Sequence, residues 1–288
     1  MRPQSVSAVI LLGLLLAAAA PAKARPPAAD QILRKAEAVR NPDLDYAVDF
    51  TIHGVLRGNT VAERDASYSM IARGKDTTVI LMRSPDLLYG ALVLMVDRKY
   101  WMLLPRASIP WELSGVQIQT GDLGTGDIAR ANLTRGYLAT LSGVERLEGE
   151  DCWRLELQSE GGAAHYARIV YWVAKKGFLP RKLEHYGNTG KLLKIVRYGD
   201  YRKGELGLRS MRLTIESLDD WKEASTLSFA NLRKIDPPSA AFTRDGMIAL
   251  RDAAIAARAS AGANDVPLER IVSDLVTPRD AAPHGEKR

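Results

Sequence analysis

Cysteine is almost missing from this chain of 288 residues: Cys152 stands alone. A lone cysteine excludes an internal disulfide, so stability has to come from packing. Histidine is scarce too. His53, His165, His185 and His284 fall at no metal-ligand spacing, and no His-Glu-x-x-His is present. There is no Gly-x-Ser-x-Gly elbow. Gly124-Thr125-Gly126 is followed by Asp127, which fits neither the phosphate-loop nor the dinucleotide fingerprint. The carboxylates Asp49, Glu148, Glu150 and Glu184 sit where strands and turns usually show solvated charge. These absences predict no enzyme, no metal and no cofactor. Like charges never gather in blocks of five or six. With no concentrated basic stripe and no reading motif, nucleic acid is not an expected partner.

What is present begins at the N-terminus. Arg2 precedes an uncharged run from Val6 to Ala20, and Ala20-Pro21-Ala22 and Ala22-Lys23-Ala24 offer small-x-small cleavage sites. This layout predicts a secretory signal peptide over residues 1–24, cut after Ala22 or Ala24. The run is shorter than the ~20 residues that span a bilayer. No cysteine stands at the end of the run, so the mature chain is not expected to be a lipoprotein itself. Net charge is +6, and removing Arg2 and Lys23 leaves about +4. With 46% hydrophobic residues, the mature chain has material for a full core.

Apolar spacing at Ile32, Leu33, Ala36 and Val39 predicts a helix from Gln31 to Val39, with Asp30 as its cap. From Tyr46 onward the period changes to two. Strands are expected over 46–52, 66–72, 77–83, 91–96 and 100–104, then over 140–147, 151–158, 167–173, 180–186, 191–201, 209–217 and 225–232, separated by short turns. Cys152 falls in one of these strands as a small core residue. Between the two series, Gly115 to Gly136 is rich in glycine around a short helical stretch at Asp127 to Leu133. It reads equally as a movable segment or as an ordinary connection. Pro237-Pro238 ends the strands, Thr243 to Ala261 reads as a helix, and Leu268 to Val276 as a short one inside a loose tail. The boundaries follow: a leader over 1–24, one domain over 25–250, and a helix end and tail over 251–288.

Strand faces narrow the fold. Arg73, Arg83 and Lys99 are expected to mark a solvent face. The opposite face then collects Met70, Thr78, Ile80, Met82, Val93, Met95, Tyr100 and Met102, with Met211 as a further member. Methionine bends and polarises, which suits ligands of variable shape, but it also fills ordinary cores. Both readings stand. Trp101 and Leu103 on the supposed solvent face call for cover.

The order of several stretches resembles a known family. Tyr46-Ala47-Val48-Asp49-Phe50 follows the first helix, and Val93 to Pro105 reads Val-Leu-Met-Val-Asp-Arg-Lys-Tyr-Trp-Met-Leu-Leu-Pro. Thr125 to Leu133, Tyr171 to Pro180 and Gly190 to Lys194 follow in turn. Together they resemble the LolA-like outer membrane lipoprotein-sorting proteins, over about Ala29 to Ala249. The resemblance implies a mainly β (α+β) fold: a single curved antiparallel sheet forming a half-open β-barrel closed by short helices. It implies a periplasmic, monomeric carrier that binds the acyl chains of lipoproteins or a related lipid in an apolar cavity. An inner-membrane transporter would be the donor and an outer-membrane protein the acceptor. The alternative is a sensing or accessory module of the same shape working with an inner-membrane protein. The eight inner-face residues then become cavity lining, and Asp127, Ile128, Arg130 and Leu133 a lid. Arg73 is the nearest match to the family's gating arginine, although the usual Arg-Pro pair is replaced by Arg73-Gly74-Lys75.

Overall fold

The computed structural model describes residues 27–57, 61–114, 132–160, 166–218, 223–261 and 266–273. The expected leader, and most of the Gly115 to Gly136 stretch, lie outside these residues.

Helix α1 (Ala29–Arg40) starts slightly earlier than expected. Ala28 is its cap, and Asp30 sits in the first turn, where a carboxylate favours the positive end of the helix. Two runs of strands follow. The first comprises β1 (Tyr46–Arg57), β2 (Val61–Arg73), β3 (Thr77–Ser84), β4 (Leu92–Val96), β5 (Lys99–Leu103) and a two-residue β6 (Trp111–Glu112). The second comprises β7 (Tyr137–Leu147), β8 (Glu150–Ser159), β9 (Arg168–Ala174), β10 (Pro180–Tyr186), β11 (Leu192–Gly204), β12 (Gly207–Ser217) and β13 (Glu223–Lys234). All thirteen belong to one antiparallel sheet in the order β6-β5-β4-β3-β2-β1-β13-β12-β11-β10-β9-β8-β7. Each run is a meander, and pairing of β1 with β13 joins them. The two free edges, β6 and β7, are therefore neighbours in sequence, linked by residues 113–136. The sheet is open, as a half-barrel is, and α1 rests against β7, β8, β10 and β12.

The alternation deduced from sequence is observed. Met70 pairs with Ile80, Ile80 with Val93, and Val93 with Met102. Thr78 pairs with Met95, and Met95 with Tyr100. The turn at Asp97-Arg98 sets Val96 against Lys99, with Asp97 at φ 56°. All eight expected residues thus share one face, called concave here because α1 lies on it.

The other face differs from expectation. Helices α2 (Arg244–Ala261) and α3 (Leu268–Ser273) lie on it. Met247, Leu250, Leu268 and Ile271 pack on Ile71, Val79, Leu81, Leu92, Leu94 and Leu103. Over β2–β5 this convex face is therefore core. Trp101 and Leu103 have the cover they needed, and α3 is docked rather than loose. Arg83 does not mark solvent: it is buried, donating from Nε to Ser69 Oγ (3.0 Å) and from Nη2 to the Val266 carbonyl (2.7 Å). A buried guanidinium is tolerable only when its N–H groups are met in this way. Thr243 caps α2, its Oγ1 accepting from the Gly246 amide (2.9 Å).

Candidate functional site

The concave face is apolar, but its middle is filled. Thr78, Ile80, Met95 and Tyr100 are at most 4% exposed, and Val93 and Met102 pack against the same cluster. Leu113 and Leu133, from the two ends of the β6–β7 connection, belong to that cluster as well. Met82, opposite Tyr68, is half-buried. Of the eight residues, Met70 is the one that lines the cleft described next.

That cleft lies where the two meanders meet, beneath the C-terminal end of α1. Its cavity volume is about 90 Å³, a narrow slot that opens to solvent at its mouth. One wall is Val48 and Met70 from β1 and β2. The other is Met211 and Leu213 from β12 with Leu227, Phe229 and Leu232 from β13. Val39 and Arg40 of α1, Tyr46, Tyr198 and Tyr201, and Arg209 with Ser210 complete it. Met211 was legible as a member; most of the rest was not. Strict alternation puts Phe229 and Leu232 on opposite faces. A register shift opposite Ala47 to Asp49, with Asn231 at φ 51°, turns both into the cleft. Tyr198 and Tyr201 are likewise three apart, with Asp200 at φ 50° between them.

Polar groups gather where α1 ends. Glu37, 4% exposed, takes a bidentate pair from Arg40: Nε to Oε1 at 2.6 Å and Nη2 to Oε2 at 2.7 Å. Glu37 Oε2 also accepts from the Leu133 amide (3.1 Å). Arg40 faces strong burial, but the Glu37 carboxylate more than offsets it and holds its pKa well above the ordinary value. Arg209 Nη1 donates to the carbonyls of Ala38 (3.1 Å) and Val39 (2.9 Å), tying β12 to the last turn of the helix. The Tyr171 hydroxyl, beside this group, is buried without a hydrogen-bond partner. Its phenol pKa is raised, by burial first and then by Glu37, so it stays protonated.

The segment after residue 131 braces the same end. Asn132 Nδ2 donates to Asp76 Oδ1 (3.0 Å), and Arg135 Nη1 reaches Asp76 (3.0 Å) and Asp97 (3.3 Å). Of the expected lid residues, Asp127, Ile128 and Arg130 lie outside the described residues. Leu133 is buried in the concave core. Arg73 is not placed to gate this cleft. It projects on the convex side, where Nη1 donates to Ser239 Oγ (2.9 Å), Nη2 to the Pro237 carbonyl, and the guanidinium lies over Phe242. The alternation that puts Met70 inward puts Arg73 outward.

Among the described residues no group of His, Cys, Asp and Glu is arranged to hold a metal ion. None of their helices is long and apolar enough to cross a membrane.

An open antiparallel half-barrel, with a helix over its concave face and an apolar cleft beneath that helix, is a LolA-like fold. The chain belongs to the LolA superfamily. A LolA superfamily protein of Nitrosomonas europaea is 31% identical over 77% of this chain and 100% of its own, with a TM-score of 0.69. A family model whose description reads "-like: Uncharacterized protein" matches residues 74–248. Two more distant structures share the fold. A DUF1329 family protein of Desulfovibrio piger is 20% identical over 76% of this chain and 97% of its own, with a TM-score of 0.68. A Vibrio parahaemolyticus domain described as an outer membrane lipoprotein-sorting protein is 16% identical over the same shares, with a TM-score of 0.65. No curated protein matches the sequence.

Proposed function

We propose that this protein is a periplasmic carrier that holds acyl chains of a lipoprotein, or of a related lipid, in the cleft under α1 and passes them toward the outer membrane. The observation that carries this reading is the cleft itself. It is an unfilled, mainly apolar space in a sheet whose neighbouring surface is closely packed. Membership of the LolA superfamily and the export leader read from residues 1–24 support it. The cleft rather than the methionine-rich strands β3–β5 is the binding surface in this proposal, with Met70 and Met211 shared between the two descriptions.

The energetics suit a carrier. Burying a chain of fourteen carbons is worth on the order of 10 kcal/mol at ~0.8 kcal/mol per CH₂. Immobilisation and ordering remove much of it. What remains is an affinity that still allows release. The test is mass spectrometry of lipid extracted from the protein purified out of the periplasm, with Met211→Asp beside the parent. Co-purified acyl lipid in the parent and its loss in the variant is the expected result. A lipid-free parent that also fails to bind an added acyl probe sinks the proposal.

A further inference from the structure

The cleft is narrow, and the surfaces beside it are closed. Its volume is about 90 Å³. An engineered apolar cavity of about 150 Å³ takes one benzene ring. One wall of the slot is Val48 and Met70, and the other is Leu213, Leu227 and Phe229. On the β2–β5 side the concave face is filled by its own side chains: Met95 and Tyr100 are each 1% exposed, and Leu133 belongs to the same cluster. On the β8–β10 side Leu157, Ile169 and Leu183 are at most 1% exposed, and Ile32 and Leu33 of α1 join that cluster. Among the described residues, a second chain beside the first has no space to enter. Making room would expose core side chains or part α1 from the sheet, and either forfeits contacts that a single chain leaves intact.

We propose that the cleft takes one acyl chain per molecule, so that its ligand is a single-chain lipid. This rests on the acyl-binding reading above and narrows it. A lipid with two or three chains leaves the others in water here, so a membrane holds it better than this cleft does. The number of chains has a large consequence for affinity. Each methylene taken out of water is worth about fourfold. Burying a second chain of eight carbons as well would tighten binding ~10³-fold or more, even after ordering costs. When one chain enters, the second adds only a choice between two equivalent chains, about twofold.

The test displaces an uncharged fluorescent alkyl probe with two soluble lipids of one headgroup, octanoyl lysophosphatidylcholine and dioctanoyl phosphatidylcholine, each below its aggregation limit. Native mass spectrometry counts the lipids bound. The two-chain lipid is expected to gain less than about tenfold over the single-chain one, and the single-chain lipid to saturate at one per protein. A two-chain lipid that displaces the probe at a tenth of the single-chain concentration or less overturns the proposal. So does saturation at two single-chain lipids. Leu213→Trp, which fills the slot from its half-buried wall, should abolish binding of both lipids while melting like the parent; Leu213→Phe takes its place if the tryptophan variant does not fold. A folded variant that binds both lipids as the parent does puts the chain outside the slot and overturns the proposal. If the parent binds neither probe nor lipids, the acyl-binding reading itself falls, a result distinct from the others.

Discussion

Replacing Glu37 with glutamine keeps the shape of the side chain and removes its charge. The structure makes this an expensive change. The carboxylate and the Arg40 guanidinium meet through two contacts of 2.6 and 2.7 Å, which puts their charge centres about 4 Å apart. At an effective dielectric near 20 that attraction is worth about 4 kcal/mol. The amide oxygen at the Oε2 position can still accept from Arg40 Nη2 and the Leu133 N–H, but its NH₂ then faces Arg40 Nε–H, donor against donor. Arg40, with its side chain 11% exposed, keeps its desolvation cost. Breaking such a pair on one side costs about 3–5 kcal/mol. A domain of this size has about 5–15 kcal/mol in total, so the loss is large.

The assay is urea unfolding followed by far-ultraviolet circular dichroism and tryptophan fluorescence. Glu37→Gln is expected to move the midpoint sharply down without changing the slope. The double variant Glu37→Leu/Arg40→Met is the control that isolates the reason. It removes both charges and both desolvation costs, so it should recover most of the loss, as apolar replacements of buried pairs often do. A Glu37→Gln penalty below about 1 kcal/mol refutes the reasoning. Arg40 would then be reaching water through the cleft it borders, and the pair would behave as a surface one.

Three further outcomes follow from other parts of the molecule. Met211→Asp should abolish binding of a fluorescent acyl probe with little change in melting temperature, whereas Met95→Asp, at a position 1% exposed, should unfold the protein; equal binding by parent and Met211→Asp goes against the cleft as the site. Gly246→Ala should destabilise α2 although alanine is the better helix former, because its Cβ would come 1.9 Å from the Ala240 carbonyl oxygen, and a thermal melt at or above the parent's contradicts this. Burial raises the Cys152 thiol from 9.0 to about 11, so the folded state holds its proton where the unfolded chain has lost it; this contribution favours folding fully below about pH 9 and is lost as pH rises toward 11, and a Cys152→Ala variant should lose less stability across that window than the parent.

The sequence pattern spoke clearly about local matters. Turn residues and alternation placed the strands, and the two-residue turn at Asp97-Arg98 fixed a register that the structure repeats down to Val96 against Lys99. It was nearly silent about what covers a face. Arg83 reads as a solvent marker because alternation assigns faces and nothing more. Its partner is the Val266 carbonyl, 183 residues along the chain. The stronger signal lay in β3 and β4, where both faces are apolar, a composition that belongs to strands covered on both sides. The short β6 carries no period at all.

The cleft was hidden for a related reason. Methionine content pointed to β3–β5, yet those side chains meet one another and the ends of the β6–β7 connection, and they fill the space between them. Space remains instead where the two meanders meet, since β1 and β13 join strands from opposite ends of the chain under the end of one helix. Three features hold it open, and none has a local signature: the irregularity at Asn231, the arginine clasp from Arg209 to α1, and the buried Glu37–Arg40 pair within α1. Each uses backbone geometry or charge where apolar filling would have closed the gap. That choice is what separates a binding sheet from a packed one. A fully apolar junction would gain stability by collapsing, because a void forfeits contacts on every side. Here the helix end is clasped by Arg209 through hydrogen bonds to the Ala38 and Val39 carbonyls, and the α2–α3 core lies separately behind the sheet. The molecule thus keeps a closely packed core on the convex side of β2–β5 and an unfilled space at the cleft, the arrangement the proposed carrier needs for cargo to enter and leave while the sheet stays folded.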